Sequence, residues 1–133
     1  MGDVESPELE RPEGTVYRGE VEGKLNRCFS NNGVIEKTYD PEVYVSDPRN
    51  LMEFPLLARR ELSNSSPGST FQWGYTGHGP YMLAVSLVAD AYGDDEVALE
   101  YQTPVEELLD DFDQHDGWEL EAEELDTYIR TFG

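Results

Sequence analysis

A chain of 133 residues with 38% apolar and 11% aromatic content is long enough for one domain with a true core, and too aromatic to stay unfolded. Its formal net charge is −20, from 29 acids against nine bases, so no direct nucleic-acid binding is expected of it. The single cysteine, Cys28, excludes an intrachain disulfide and a multi-cysteine zinc site.

Residues 1–14 carry five acids and two prolines and read as a flexible acidic tail; residues 15–133 read as a single α+β domain. The N-terminus has neither a basic n-region nor an apolar h-region, so it is not read as a secretory leader. Thr15 to Glu22 reads as a strand with Tyr17, Gly19 and Val21 on one face. Lys24 to Ser30 and Val34 to Tyr39 read as two further strands, joined through Asn32-Gly33, a two-residue hairpin signal. Val43 to Val45 is a short apolar piece, and Ser46 to Ser69, with three prolines, reads mostly as loop. Thr70 to Tyr75 alternates, with Phe71, Trp73 and Tyr75 on one face, and is expected to be a strand.

Pro80 suits the first turn of a helix. Tyr81 to Tyr92 is apolar nearly all round, which predicts a buried central helix closed by Gly93. Only Ser86 and Asp90 interrupt the run, and it is far short of the ~20 residues that span a bilayer. The default location is therefore the cytoplasm. Asp94 to Tyr101 is expected to be helical. Thr103-Pro104 reads as a cap and first helical residue, followed by Val105, Leu108, Leu109 and Phe112 as one stripe. Asp116-Gly117 reads as a turn, and Glu121 to Phe132 as the closing helix. Strands first and helices after give an α+β fold: a small N-terminal antiparallel sheet against a C-terminal half of about four helices.

The charge is divided. Residues 1–60 hold twelve acids and eight bases, a net of −4, while residues 61–133 hold 17 acids and only Arg130, a net of −16. Only Lys24 and Lys37 among the nine bases are lysine. Abundant acids with scarce lysine point to a salt-adapted, halophile-type protein, because salt screens the self-repulsion. The 15 acids between Asp94 and Asp126 also suit a mimic of DNA phosphates, although salt adaptation explains the same residues more simply.

The run Gly74 to Pro80 opens onto the apolar helix. A glycine-rich turn at a helix start can hold an anion, and the residues for such a site are Trp73, Tyr75, Thr76, Gly77, His78 and Gly79. The spacing is not that of a P-loop, and no base lies between Arg60 and Arg130. Tight turning onto the helix, with Gly77 or Gly79 at positive φ, is the structural alternative. The acidic knot Asp110, Asp111, Asp113, His115 and Asp116 fails the calcium-loop pattern. No metal site, cofactor or catalytic residue is assigned, since His78 and His115 are far apart in sequence and no nucleophile–base pair stands out.

Ser66-Pro67, then Phe71-Gln72-Trp73-Gly74-Tyr75-Thr76-Gly77-His78-Gly79-Pro80, then the apolar helix, resemble an uncharacterised domain family of prokaryotic and phage proteins. Tyr101-Gln102, Gly117-Trp118 and the acidic helix after them fit the same family, and Tyr17-Arg18-Gly19 fits its opening strand. The resemblance spans about Leu56 to Phe132. Thr103-Pro104 replaces an aromatic-basic pair, and there is extra length between Tyr39 and Leu56. The family brings no activity. The reading is a small non-enzymatic accessory or interaction protein of a halophilic prokaryote or its mobile elements, with an unidentified protein partner. A small-ligand protein or enzyme using turn 74–80, and an acidic DNA mimic, are the alternatives. The sequence sets no oligomeric state.

Overall fold

Alternation fixes the sheet. In a computed structural model of the chain, which describes residues 8–21, 41–50, 52–65, 70–75, 77–113 and 116–131, strand β1 (Val16–Glu20) buries Tyr17 and Gly19 and leaves Val16, Arg18 and Glu20 half-exposed. Strand β2 (Glu42–Ser46) pairs with it antiparallel, setting Tyr17 opposite Val45 and Gly19 opposite Val43. A two-residue strand β3 (Phe54–Pro55) extends the sheet beyond β2. Strand β4 (Trp118–Glu121), late in the chain, pairs with the other side of β1. The order is β3-β2-β1-β4, and every pairing is antiparallel.

The inward rows therefore read Val45–Tyr17–Leu120 and Val43–Gly19–Trp118. Glycine at position 19 has a steric reason. A Cβ there would lie 2.3 Å from the indole nitrogen of Trp118, which crosses β1 at that point.

The helical half has five members among the described residues. Helix α1 (Arg60–Ser63) is a single turn, and α2 (His78–Tyr92) is the central element. Nearly every residue from Met82 to Tyr92 is buried, as expected of a helix apolar on all sides. Gly93 closes α2 in the left-handed region, φ 62°. Helix α3 (Asp95–Glu100) is capped by the Asp94 carboxylate, which accepts from the Glu96 and Val97 amides. Helix α4 (Gln102–Asp110) buries Val105 and Leu109, and α5 (Ala122–Arg130) buries Ala122, Leu125 and Ile129. The fold is α+β, a four-stranded antiparallel sheet against a helical half.

Two expectations change and two are refined. Residues 70–75 are not a strand: Phe71 and Trp73 do point inward, but the Gly74 amide donates to the Leu109 carbonyl (2.9 Å) at the end of α4, and among the described residues no strand pairs with the segment. Alternation reported side-chain direction and not ladder pairing. The expected α+β fold with an antiparallel sheet holds, and Trp118–Glu121 adds an edge strand to that sheet from late in the chain. Helix α4 begins at Gln102, and the Thr103 hydroxyl bonds the Gln102 side chain instead of capping. Within 46–69, read as mostly loop, the described residues include β3 and α1. The hairpin read around Asn32-Gly33 lies outside the described residues.

Of the segment read as a tail, residues 8–14 run against the end of α2. The Glu10 and Arg11 amides both donate to the Ala91 carbonyl, at 2.8 and 3.3 Å. Leu9 packs against the core.

Candidate functional site

The glycine-rich turn is built into the packing. Trp73 is 1% exposed; its indole N–H is shared between the Asp113 and Asp116 carbonyls at 3.1 and 3.0 Å, and its ring meets Trp118 edge-on at 5.6 Å. Gly74 carries the positive φ, 83°. Gly77 is extended, and Gly79 lies inside α2, so the expectation of positive φ at either is corrected. The bend falls at Gly74 because the chain leaves α4's carbonyl there and turns toward α2. Half-buried Tyr75 sits where a Cβ on Gly77 would meet its ring at 2.8 Å, and Gln72 fills the corresponding place beside Gly79. His78 is exposed, 2.7 Å from the Ser65 hydroxyl and stacked on Tyr81. The Tyr81 amide donates to the Gly77 carbonyl within the helix, which removes it from any anion nest. Thr76 lies outside the described residues.

The carboxylates of residues 94–126 are mostly at the surface. Asp95, Glu96 and Glu100 on α3, Glu107 and Asp110 on α4, Glu119 and Glu121 on β4, and Glu123 and Glu124 on α5 are all exposed. Among the described residues no three potential metal ligands converge.

A different place gathers chemistry. Ser86 and Asp90 are the only polar residues between Tyr81 and Ala91, and their i, i+4 spacing puts them on one side of α2. The Arg59 amide donates to the Ser86 hydroxyl (2.9 Å), which ties the start of α1 to α2. Asp90 accepts two bonds from Arg11, at 2.9 and 2.7 Å, and one from the Tyr17 hydroxyl at 2.7 Å. Arg11 reaches on to Asp47 at 2.9 Å, and Asp47 also holds Arg49 through its side chain (2.7 Å) and its amide (2.8 Å). The Arg11 guanidinium lies 5.1 Å from the Phe54 ring of β3. Tyr17, Asp90, Arg11, Asp47 and Arg49 thus form one chain of charge-assisted bonds linking β1, α2, the N-terminal segment and the loop after β2.

Beside this chain opens a cavity of about 310 Å³, lined by Glu10, Arg11, Arg49, Leu57, Arg59, Ser86, Ala89 and Asp90. Three of the chain's nine bases face it. Arg59 also pairs with Glu61 (2.6 Å) and Asp95 (2.9 Å), both exposed. Leu57, 72% exposed, forms one wall, and Met52, 80% exposed, lies on the other side of β3 in sequence. With Leu99 these are the exposed large hydrophobics among the described residues.

Titration follows the geometry. The Arg49 side chain, assisted by its amide and by Arg11, holds the Asp47 carboxyl well below the usual carboxylate range. Burial, followed by the Asp90 carboxylate, pushes the Tyr17 hydroxyl far up. The Asp90 bond keeps Arg11 firmly charged.

Sequence reasoning missed this cleft. Its signals were the two polar interruptions in an apolar helix and the one base, Arg11, in an acidic opening segment. Residues 35–131 match a family of unknown function, DUF6166. No curated protein and no solved structure matches the chain.

Proposed function

Since the chain belongs to DUF6166, a family of unknown function, its role has to be read from its own surface, and we propose that it is a small non-enzymatic interaction protein that docks a protein partner on its β3 side. The observation that carries this is the exposure of Met52 (80%) and Leu57 (72%) on either side of an edge strand. The glycine-rich turn offers a weaker alternative, since the Trp73 indole N–H and the Gly74 and Tyr81 amides are already engaged within the fold.

The acids and the apolar pair have different explanations. A carboxylate coat with two lysines suits a salt-rich cytoplasm, where the Debye length falls to ~3 Å at 1 M and long-range steering is lost. Salt strengthens apolar association instead, so contacts in such a cell fall to exposed aliphatic side chains. Burying these two under a partner is worth about 2–5 kcal/mol together. Pro55 has no N–H to offer a new strand, so docking proceeds through side chains and not by strand addition.

The test is photo-crosslinking in the native host, with a photoreactive residue in place of Leu57 or, on α4, of Glu107. One defined adduct from position 57 and none from 107 is expected. An adduct from 107 alone sinks the proposal and favours the acidic DNA mimic, for which the exposed carboxylates of α3, α4, β4 and α5 speak. No adduct from either position leaves the proposal without a partner and refutes it.

A further inference from the structure

We propose that the arginine cleft is a carboxylate-binding subsite of this docking surface, taking an Asp or Glu side chain that the partner presents next to an aliphatic residue; the inference rests on the docking proposed above. Three guanidinium groups reach one cavity of about 310 Å³ in a chain whose net charge is −20. That volume gives room for one polar side chain and its retained water.

The donors are prepared. Arg11 and Arg49 both donate to the same Asp47 oxygen, at 2.9 and 2.7 Å, so one buried carboxylate holds two guanidinium groups together. A guanidinium has five N–H groups. The bonds of Arg11 to Asp90 and Asp47 engage three of them, which leaves two for an incoming oxygen. Arg49 is 62% exposed and spends its side-chain bonds on Asp47, with its outer nitrogen Nη1 outside those contacts. Arg59 is anchored through its amide to Ser86, while its head group sits on exposed acids that a ligand displaces at little cost.

The walls select the ligand. Glu10 and Asp90 also line the cavity, so a single negative charge is tolerated better than the double charge of a phosphate monoester. Leu57 and Ala89 supply an aliphatic wall, and Leu57 also borders the neighbouring apolar groove with Pro55 and Leu56. A carboxylate entering the cleft therefore brings its neighbour onto the β3 surface. Arginine clusters recognise acidic motifs by this division of labour.

Two capped dipeptides, acetyl-Leu-Glu-amide and acetyl-Leu-Gln-amide, differ in the charged group alone. Each is titrated into the labelled full chain at fixed ionic strength, with the Nε–H signals of Arg49 and Arg59 and the Leu57 amide followed by NMR. The glutamate peptide is expected to bind about tenfold more tightly, the factor that one charge-assisted contact supplies. Arg49→Gln and Arg59→Gln should bring the ratio close to one, whereas Arg59→Lys keeps part of it; circular dichroism confirms that each variant is folded. Equal binding of the two peptides, or no shift with either at about 20 mM, the range in which ligands this small bind, overturns the subsite. Partner capture lost with Leu57→Ser but kept with Arg49→Gln and Arg59→Gln also overturns the subsite while leaving the docking surface intact. Capture kept with Leu57→Ser removes the docking reading itself.

Discussion

Replacing Trp73 by phenylalanine tests whether the fingerprint turn is a fold element. The indole N–H bridges two carbonyls of the loop before β4, and the ring closes on Trp118 at 5.6 Å. Phenylalanine removes that hydrogen bond, worth ~0.5–1.5 kcal/mol net. It weakens the edge contact, worth another ~0.5–1.5 kcal/mol. It also deletes part of a side chain that is 1% exposed, for ~1–2 kcal/mol of lost burial and cavity formation. The sum is about 2–5 kcal/mol. Urea unfolding at fixed KCl, followed by far-UV circular dichroism, should show a lower midpoint with an unchanged slope. A loss under ~1 kcal/mol would mean that Trp73 does not tie the loop before β4 to the core, and the structural account of the turn would be wrong.

Gly74→Ala should cost ~1–2 kcal/mol, since φ there is 83° and an L-residue is strained, while Gly77→Ala should cost less because its backbone is extended and only the Tyr75 ring must move; equal costs in urea unfolding contradict this. The Asp47 carboxyl is depressed in the folded state, so its contribution is present above the unfolded value near ~3.9 and is lost as pH falls through the folded value. Wild type should therefore lose stability more steeply between about pH 5 and pH 2 than Asp47→Asn, and parallel curves refute that assignment. Screening of 29 acids against nine bases should raise the melting temperature substantially between about 0.1 and 2 M KCl; a flat response removes the salt-adapted reading.

Helix α2 was legible because a run that is apolar on nearly every side, with only Ser86 and Asp90 interrupting it, has only one place to go, the interior. Strand β1 was legible from its alternation, which put Tyr17 and Gly19 on one face, whereas Val43 to Val45 read only as a short apolar piece and the structure makes it part of β2. Strand β4 was not. Trp118 and Leu120 do alternate with Glu119 and Glu121, but four residues between a turn and a helix are too few for periodicity to separate from loop. Residues 70–75 erred the other way, since their alternation is real while their backbone bonds go to α4. The glycine-rich turn stood out in the sequence, yet the glycine that bends is Gly74, whose amide meets the Leu109 carbonyl, 35 positions later. The arginine cleft was beyond reach for a similar reason. Arg11 meets Asp90 across 79 residues and Asp47 across 36, and no local pattern encodes such a meeting.

The central claim is that the β3 surface docks a partner while the acidic helices face solvent. The most direct measurement compares partner capture by two folded double variants, Met52→Ser/Leu57→Ser and Glu107→Gln/Glu123→Gln, in about 2 M KCl, where long-range charge steering is screened. All four side chains are exposed, so neither pair of changes opens the core. Capture should be abolished by the first and kept by the second. Capture that survives the loss of Met52 and Leu57 but fails when Glu107 and Glu123 are neutralised would contradict the account and move the binding site to the acidic face.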